Sequence, residues 1–217
     1  VDAILEQSPY RRRFQADDVE KVGAREFVGV GAPEWLRRES VKAVLFHARR
    51  AGLSIEHQAV LLAIVNIESG FNPFARAPTT SACGLFQFVR RTGEQFKLAY
   101  DDCMDPWDNA RAGVDHYVRN LERRINNQIS GLEGAEKVLR TFELSYYAHH
   151  DGVEAVSSGN EVKALILSGS HFLFRVYHVL LQESRSQAHA PGFKERFANN
   201  LWKFMEHIRE RIQSSYL

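Results

Sequence analysis

One apolar segment in the first third of the chain constrains its fold more than any other feature. Residues 59–65 are all aliphatic, and Ile67 extends the run beyond a single polar residue. Such a run predicts a helix that is buried on most sides, because a helix that is apolar all round has to be covered by other elements. Gly70 and Pro73 indicate where this helix ends. The pattern therefore places Glu68 in the last turn of a buried helix.

Glu68 is the candidate catalytic residue. A carboxylic acid that leaves an apolar wall and enters a cleft is desolvated, which favours the protonated form and suits a general acid that protonates a leaving group. The helix dipole also opposes an acidic residue at a helix C-terminus, so this placement favours a functional role. The pattern alone leaves a solvated helix end without a catalytic role open, because structural ionic groups are common.

The residues around Glu68 form a motif. The chain reads E-S-G-F-N-P-F-A from Glu68, S-A-C-G-L-F-Q-F from Ser81 and D-P-W-D-N from Asp105. This combination resembles the signature of the soluble-lytic-transglycosylase-like branch of the lysozyme superfamily, in particular its phage-endolysin-like and secreted-effector-like members. A further segment, A-H-H-D-G at residues 148–152, stands where that family commonly has A-Y-N-A-G. The resemblance covers residues 68–152.

The resemblance implies a peptidoglycan-degrading enzyme. Such an enzyme cleaves the β-1,4 bond between N-acetylmuramic acid and N-acetylglucosamine, here with Glu68 as the general acid. His149 stands where the family has a tyrosine beside the acid, and Tyr146 or Tyr147 could supply the missing hydroxyl. The motif positions also imply contacts of Ser81 with an N-acetyl group. The substrate-binding residues predicted in this way are Ser69, Ser81, Gln87, Phe88, Tyr146, Tyr147 and His149.

Carboxylates are scarce near the acid. No Asp or Glu lies between Glu68 and Glu94, whereas hydrolysis of a glycosidic bond normally takes two carboxyl groups. In lytic transglycosylation the 6-hydroxyl of the sugar attacks instead of water and gives a 1,6-anhydro product, so a second carboxylate is not required. The motif residues do not choose between the two products; the family resemblance favours transglycosylation, which the absence of a nearby second carboxylate fits. The alternative is a hydrolytic muramidase in which residues 79–81, Asp101 or Asp102 orient a water. A non-catalytic glycan-binding or structural protein with the same fold is a third reading, against which the presence of Glu68 counts.

Nearly all periodic segments of the chain are helical. The predicted helices cover residues 34–50, 54–68, 84–99, 105–126, 133–149, 162–183 and 193–213, with Ser54 as the N-cap of the second. The loop between Phe71 and Cys83 could carry a short β-hairpin beside the acid. We predict an all-α, mainly helical lysozyme-like fold. Residues 1–33 would form an N-terminal segment, as a linker or short helix, and residues 34–217 the catalytic domain with its C-terminal helices.

The two cysteines, Cys83 and Cys103, do not form a metal signature, because zinc sites use closely spaced pairs of ligands. His149, His150 and Asp151 are consecutive and would point in different directions on a helix, so they cannot converge on one ion. We predict neither a metal nor a cofactor. A disulfide between the cysteines stays open, since it depends on an oxidising compartment.

Charge and hydropathy limit the partners. The formal net charge is +1, so no strong field directs the chain to nucleic acid or to an anionic membrane, and its longest apolar run is far shorter than the roughly 20 residues of a membrane span. We expect a monomer that binds peptidoglycan strands, with an immunity or inhibitor protein as a further candidate partner. Residues 1–13 show no secretory signal. We therefore expect delivery to the periplasmic cell wall by lysis proteins or a secretion system.

Overall fold

The computed structural model of the protein describes residues 1–7, 32–152 and 160–186. No strand occurs within these ranges, and the all-α fold class is confirmed. The predicted helix over residues 193–213 lies outside the described residues, as does most of the segment 1–33. The described helices are α1 (Asp2–Leu5), α2 (Glu34–Arg50), α3 (Ile55–Ser69), α4 (Arg90–Gln95), α5 (Pro106–Asn120), α6 (Asn126–Ile129), α7 (Gly134–His150) and α8 (Asn160–Ser186).

The aliphatic helix α3 forms the centre of the core. Every residue from Ala59 to Val65 is at most 2% exposed. α8 packs along α3, and α7 and α2 cover its other sides. Gly169 of α8 lies so close to Ile67 and Phe142 that a β-carbon there would clash with both side chains. This close approach supports the last turn of α3, from which Glu68 emerges.

Two short segments connect the larger helices. A 3-10 turn, Tyr100–Asp102, precedes α5, and a π-helical turn, Leu121–Ile125, joins α5 to α6. Asp105 is the N-cap of α5, where its carboxylate accepts hydrogen bonds from the backbone N–H groups of Trp107 and Asp108 at 2.8 and 2.9 Å. This cap satisfies donors that the first turn leaves unpaired. The D-P-W-D-N segment thus begins a helix, as predicted.

Two local predictions need correction. The predicted helix over residues 84–99 is wrong in its first half, because Gly84 and Gln87 have φ angles of +80° and +48° and turn the chain out of a helical path; only α4 is helical. The predicted hairpin is reduced to isolated antiparallel bridges that pair Cys83 with Arg76 and with Phe88. The turns at Gly84 and Gln87 leave no room for extended strands.

Two further features concern helices α3 and α8. Ser54 occupies the N-cap position of α3, but its hydroxyl donates to Oε2 of Glu56 at 2.5 Å instead of accepting from the backbone. In α8, the segment Val162–Ser184 is long and apolar enough to cross a membrane by composition. The same segment supplies core residues such as Phe172 and Leu173, so packing against α3 accounts for much of its apolar character.

The first residues of the chain pack against the helical core. Ile4 and Leu5 of α1 are buried, and α1 contacts α8 and α2. The division into an N-terminal segment and a catalytic domain from residue 34 onward stays a prediction.

Candidate active site

A cleft of about 690 Å³ opens where α3 ends. Its walls come from the end of α3, the loop over residues 77–89, α4, the second half of α5 with the π turn, and the end of α7. The irregular loop, which carries the S-A-C-G-L-F-Q-F segment of the motif, forms the cleft wall between the helices. The site is therefore assembled from segments that are distant in sequence.

Glu68 lines this cleft at the point where α3 stops. Gly70 is the C-cap in the left-handed conformation, with φ of +58°, and its N–H donates to the carbonyl of Asn66 at 3.1 Å. The next residue, Phe71, also has a positive φ and is completely buried. This turn ends the helix as predicted, and the buried Phe71 ring anchors the loop directly behind the carboxyl group.

The Glu68 carboxyl group is only partly solvated. Its side chain is 14% exposed, and Oε1 is buried without a hydrogen-bond partner among the described residues. The imidazole Nε2 of His149 lies 3.9 Å from Oε1. Burying an ionised oxygen without a donor costs free energy. The Glu68 carboxyl group therefore lines the cleft with one of its oxygens shielded from water.

His149 is a neutral neighbour of the acid. Its side chain is 8% exposed, and burial lowers its pKa, although the Glu68 carboxylate and a hydrogen bond to the backbone of Phe86 oppose this shift. The imidazole ring is enclosed by Phe86, Phe88 and His116, with ring centroids 6.1, 5.6 and 5.5 Å away. These contacts fix the ring beside Glu68, where the family pattern has a tyrosine.

His116 on α5 is a second histidine of the cleft that the sequence analysis missed. Burial, followed by the proximity of His149, lowers the pKa of His116 to about 3, so the two rings meet as neutral groups. The Phe96 ring lies edge-on at 5.1 Å. The sequence does contain a signal for His116. This residue follows Asn109 at helical spacing and therefore lies on the same face of α5.

The loop residues of the motif hold one another in place. The side-chain amide of Gln87 donates to the carbonyls of Ala75 and Gly84 at 2.9 and 2.8 Å, which supports the left-handed conformation of Gln87 itself. Phe88 is 4% exposed and its ring stacks on that of Phe86 with centroids 5.9 Å apart. Gln87 and Phe88 both line the cleft, and their role in substrate binding stays a prediction.

Asn109 ties this loop to α5. It is completely buried, accepts the backbone N–H of Phe86 at 3.0 Å and donates to the carbonyl of Cys103 at 2.9 Å. A disulfide joins Cys83 and Cys103, whose Cα atoms are 6.0 Å apart. A β-carbon at Gly84 would clash with the Asn109 side chain and the Cys103 carbonyl. The disulfide and Asn109 thus fasten the same corner of the cleft.

Four of the predicted substrate-binding residues do not line the cleft. The Ser69 hydroxyl donates to the carbonyl of Val65 at 3.1 Å, and Ser81 accepts the backbone N–H of Arg90 at 3.0 Å. Tyr146 is buried in the core and Tyr147 packs against the core's edge. In these positions the first two support the loop and helix ends around the cleft.

Among the other charged residues of the cleft, the sequence analysis considered Asp151 as a metal ligand and did not single out Arg119 and Arg123. Asp151 is the one carboxylate besides Glu68 among the described cleft residues, and it accepts from His150 at 2.7 Å. Asp101 and Asp102 are exposed on the 3-10 turn outside the cleft. Arg119 and Arg123 line the α5 wall. Across the described part of the chain, no group of three or more His, Cys, Asp or Glu side chains could hold a metal ion.

Comparison with known families identifies the family of the chain. The family model of the transglycosylase SLT domain matches residues 49–159, just over half of the chain. The chain therefore belongs to this family of the lysozyme-like superfamily, and the resemblance seen in residues 68–152 is confirmed. Members of the family are peptidoglycan lytic transglycosylases, which are glycosidases acting on the cell wall. No curated protein and no solved structure matches the chain.

Proposed function

We propose that Glu68 is the general acid of a lytic transglycosylase that cleaves the β-1,4 bond between N-acetylmuramic acid and N-acetylglucosamine. The observation that carries this proposal is the Glu68 carboxyl group, which lines the cleft while its Oε1 is buried without a donor among the described residues. The family supplies the general activity, and the position of this carboxyl group supports its role as the acid.

The reaction needs one proton carrier. Glu68 donates its proton to the glycosidic oxygen while the bond to the anomeric carbon breaks and positive charge develops on the sugar ring. The Glu68 carboxylate then accepts the proton of the 6-hydroxyl as this oxygen bonds to the anomeric carbon. The product is a 1,6-anhydro ring, and Glu68 is again protonated. The number of protons, atoms and bonds balances without water.

His149 acts in this scheme as a positioning residue. An ion pair with a charged neighbour would hold Glu68 in its ionised form. The imidazole of His149 is neutral and lies 3.9 Å from Oε1, so it does not form a strong ion pair with the carboxylate. The rings around His149 limit its movement. We propose that it holds the carboxyl group in the orientation for proton transfer. Gln87 and Phe88 contact the glycan, and Ser69, Ser81, Tyr146 and Tyr147 act through the elements they support.

A hydrolytic muramidase is the second candidate, and one observation favours it. Asp151 lines the same cleft as Glu68 and could hold a water on the far side of the sugar ring, as the second carboxylate of a hydrolase does. The Thr80 side chain also lines the cleft. Under this alternative the protein would produce reducing ends instead of anhydro ends.

The protein would reach the cell wall either through a secretion system or after lysis of the membrane. We propose delivery by lysis proteins or a secretion system, as for a phage endolysin or an antibacterial effector, with an inhibitor protein as the partner in the second case. The Cys83–Cys103 disulfide supports action in an oxidising compartment. We propose that the protein acts as a monomer.

The products decide between the two reactions. Purified peptidoglycan is digested with the protein and the muropeptides are analysed by mass spectrometry, since an anhydro end is lighter than a reducing end by one water. We expect anhydro ends from the wild type and intact strands from Glu68→Gln. Reducing ends would favour the muramidase, and an unchanged digest with Glu68→Gln would remove Glu68 as the acid.

A further inference from the structure

The α5 wall of the cleft carries two arginines that form no salt bridge with any described residue. Arg119 and Arg123 are four positions apart and both line the cleft, so they lie on the same side of the helix. Both are exposed. Within the described residues neither guanidinium group forms a salt bridge, whereas Arg111 of the same helix pairs with Asp108 and Asp115. The cleft therefore holds two available cations.

The two side chains are held at the cleft by local structure. The guanidinium carbon of Arg119 lies 4.4 Å above the centre of the Phe96 ring, a cation–π contact that restrains it against the cleft wall. Arg123 belongs to the π-helical turn Leu121–Ile125. Single π turns inside helices are rare and frequently occur at functional sites. The π-helical turn of this wall is therefore located where Arg123 enters the cleft.

Within the described residues no carboxylate forms a salt bridge with Arg119 or Arg123. The acidic neighbours on the same helical stretch, Asp115 and Glu122, are exposed and do not line the cleft. Of the residues between the two arginines only Asn120 is part of the described cleft lining, and its amide contacts Nε2 of His116 at 3.3 Å. The amide carries no charge, and burial keeps the pKa of His116 low, so the imidazole is also neutral. The two carboxylates of the described cleft, Glu68 and Asp151, belong to the α3 and α7 side. The cleft is thus acidic on one side and cationic on the other.

We propose that Arg119 and Arg123 bind a carboxylate of the muramoyl residue, so that the charge of the glycan strand determines specificity. This inference rests on the proposed function, because it needs the strand to occupy the cleft. The planar guanidinium group binds a carboxylate with two parallel hydrogen bonds. Peptidoglycan offers such carboxylates from two sources, the stem peptide or, in strands without peptides, the lactyl group. Neutral chitooligosaccharides offer none.

The test measures binding in the background of Glu68→Gln, so that no strand is consumed. The parent, the double variant Arg119→Gln/Arg123→Gln and the control Arg50→Gln are compared on intact peptidoglycan strands, strands stripped by an amidase, and chitohexaose. Arg50 is an exposed arginine at the end of α2 outside the cleft, so its substitution removes a charge without touching the wall. Circular dichroism confirms that each variant is folded.

We expect the double variant to bind at least one of the two anionic strands about tenfold more weakly, because charge-assisted hydrogen bonds are lost. Chitohexaose binding and the Arg50→Gln control should stay within threefold of the parent. A loss confined to intact strands identifies the stem-peptide carboxylate as the group bound, and a loss confined to stripped strands identifies the lactyl carboxylate. A loss on both strands means that the arginines bind a carboxylate from either source.

Two results would overturn the inference alone: equal binding of parent and double variant to both strands, or an equal loss on chitohexaose, which would mean that the arginines contact neutral sugar groups. A parent that binds none of the three probes would instead overturn the proposed function, and the inference with it. The two failures are therefore distinguishable.

Discussion

The two walls of the cleft differ in burial and in charge. On the α3 and α7 side, Glu68 and His149 are 14% and 8% exposed and lie among aromatic rings. On the α5 side, Arg119 and Arg123 are exposed and carry unpaired charge within the described residues. A buried carboxyl group exchanges protons in a medium of low polarity, whereas an exposed cation attracts an anionic group through water. The comparison separates the chemistry of the site from the recognition of its substrate.

The largest effect is expected on the buried wall. Glu68→Gln keeps the shape of the side chain but cannot donate a proton, so we expect cleavage of peptidoglycan to fall about a hundredfold to ten-thousandfold. The measurement is turbidity clearing of chloroform-treated Gram-negative cells. Glu94→Gln, on the exposed surface of α4 outside the cleft, is the matched control and should keep full activity. More than a tenth of wild-type activity in folded Glu68→Gln would refute the role of the acid.

The next largest effect is expected from the Cys83–Cys103 disulfide, which fastens the corner between the two walls of the cleft. Cys83→Ala/Cys103→Ala removes a disulfide between residues 20 positions apart, and a loop of that size predicts a loss of about 3 kcal/mol in the free energy of unfolding. Urea unfolding of the variant and of the oxidised wild type measures it. The wild type with a reducing agent should resemble the variant. An unchanged midpoint would mean that Asn109 alone holds the corner.

A smaller effect follows from the histidine between the walls. His116 has a pKa near 3 in the folded protein and an ordinary value of 6.5, so the unfolded chain binds its proton first as the pH falls. Stability is therefore lost between about pH 6.5 and pH 3. His149, whose pKa is also lowered by burial, acts with the same sign.

His116→Gln removes one of these two titrating imidazole groups. Between pH 7 and pH 4 we expect the free energy of unfolding to decrease by about 3 kcal/mol less in this variant than in the wild type. The Tm of the variant should fall correspondingly less. Thermal unfolding by circular dichroism at several pH values measures the two curves. Parallel curves would show that His116 does not titrate in this range.

The smallest effect is expected for Asp151, and its substitution tests whether the α3 and α7 side of the cleft holds a second catalytic carboxylate. Asp151→Asn should keep most of the activity if the sugar hydroxyl is the nucleophile. Asp101→Asn and Asp102→Asn, outside the cleft, serve as controls and should also stay active. A large loss in folded Asp151→Asn alone would support the muramidase and assign Asp151 as the second catalytic group.

The features that could be predicted from the sequence depend on neighbouring residues. The aliphatic run of α3, the turn at Gly70 and the start of α5 at Asp105 each use contacts within a few positions, and all three occur as expected. The helix over residues 84–99 failed for the opposite reason. Its path is set by Asn109 and Cys103, which come from beyond the segment and press against Gly84.

The sequence by itself determined the family, the all-α fold class and the place of Glu68 at the end of a buried helix, because motif residues and apolar periodicity are local. Only the tertiary structure decided which side chains share the cleft with it. Packing turns one face of α5 toward α7, which brings His116, Arg119 and Arg123 to the site and leaves Tyr146 in the core. Such contacts join residues far apart in sequence, and their selection depends on how whole helices pack.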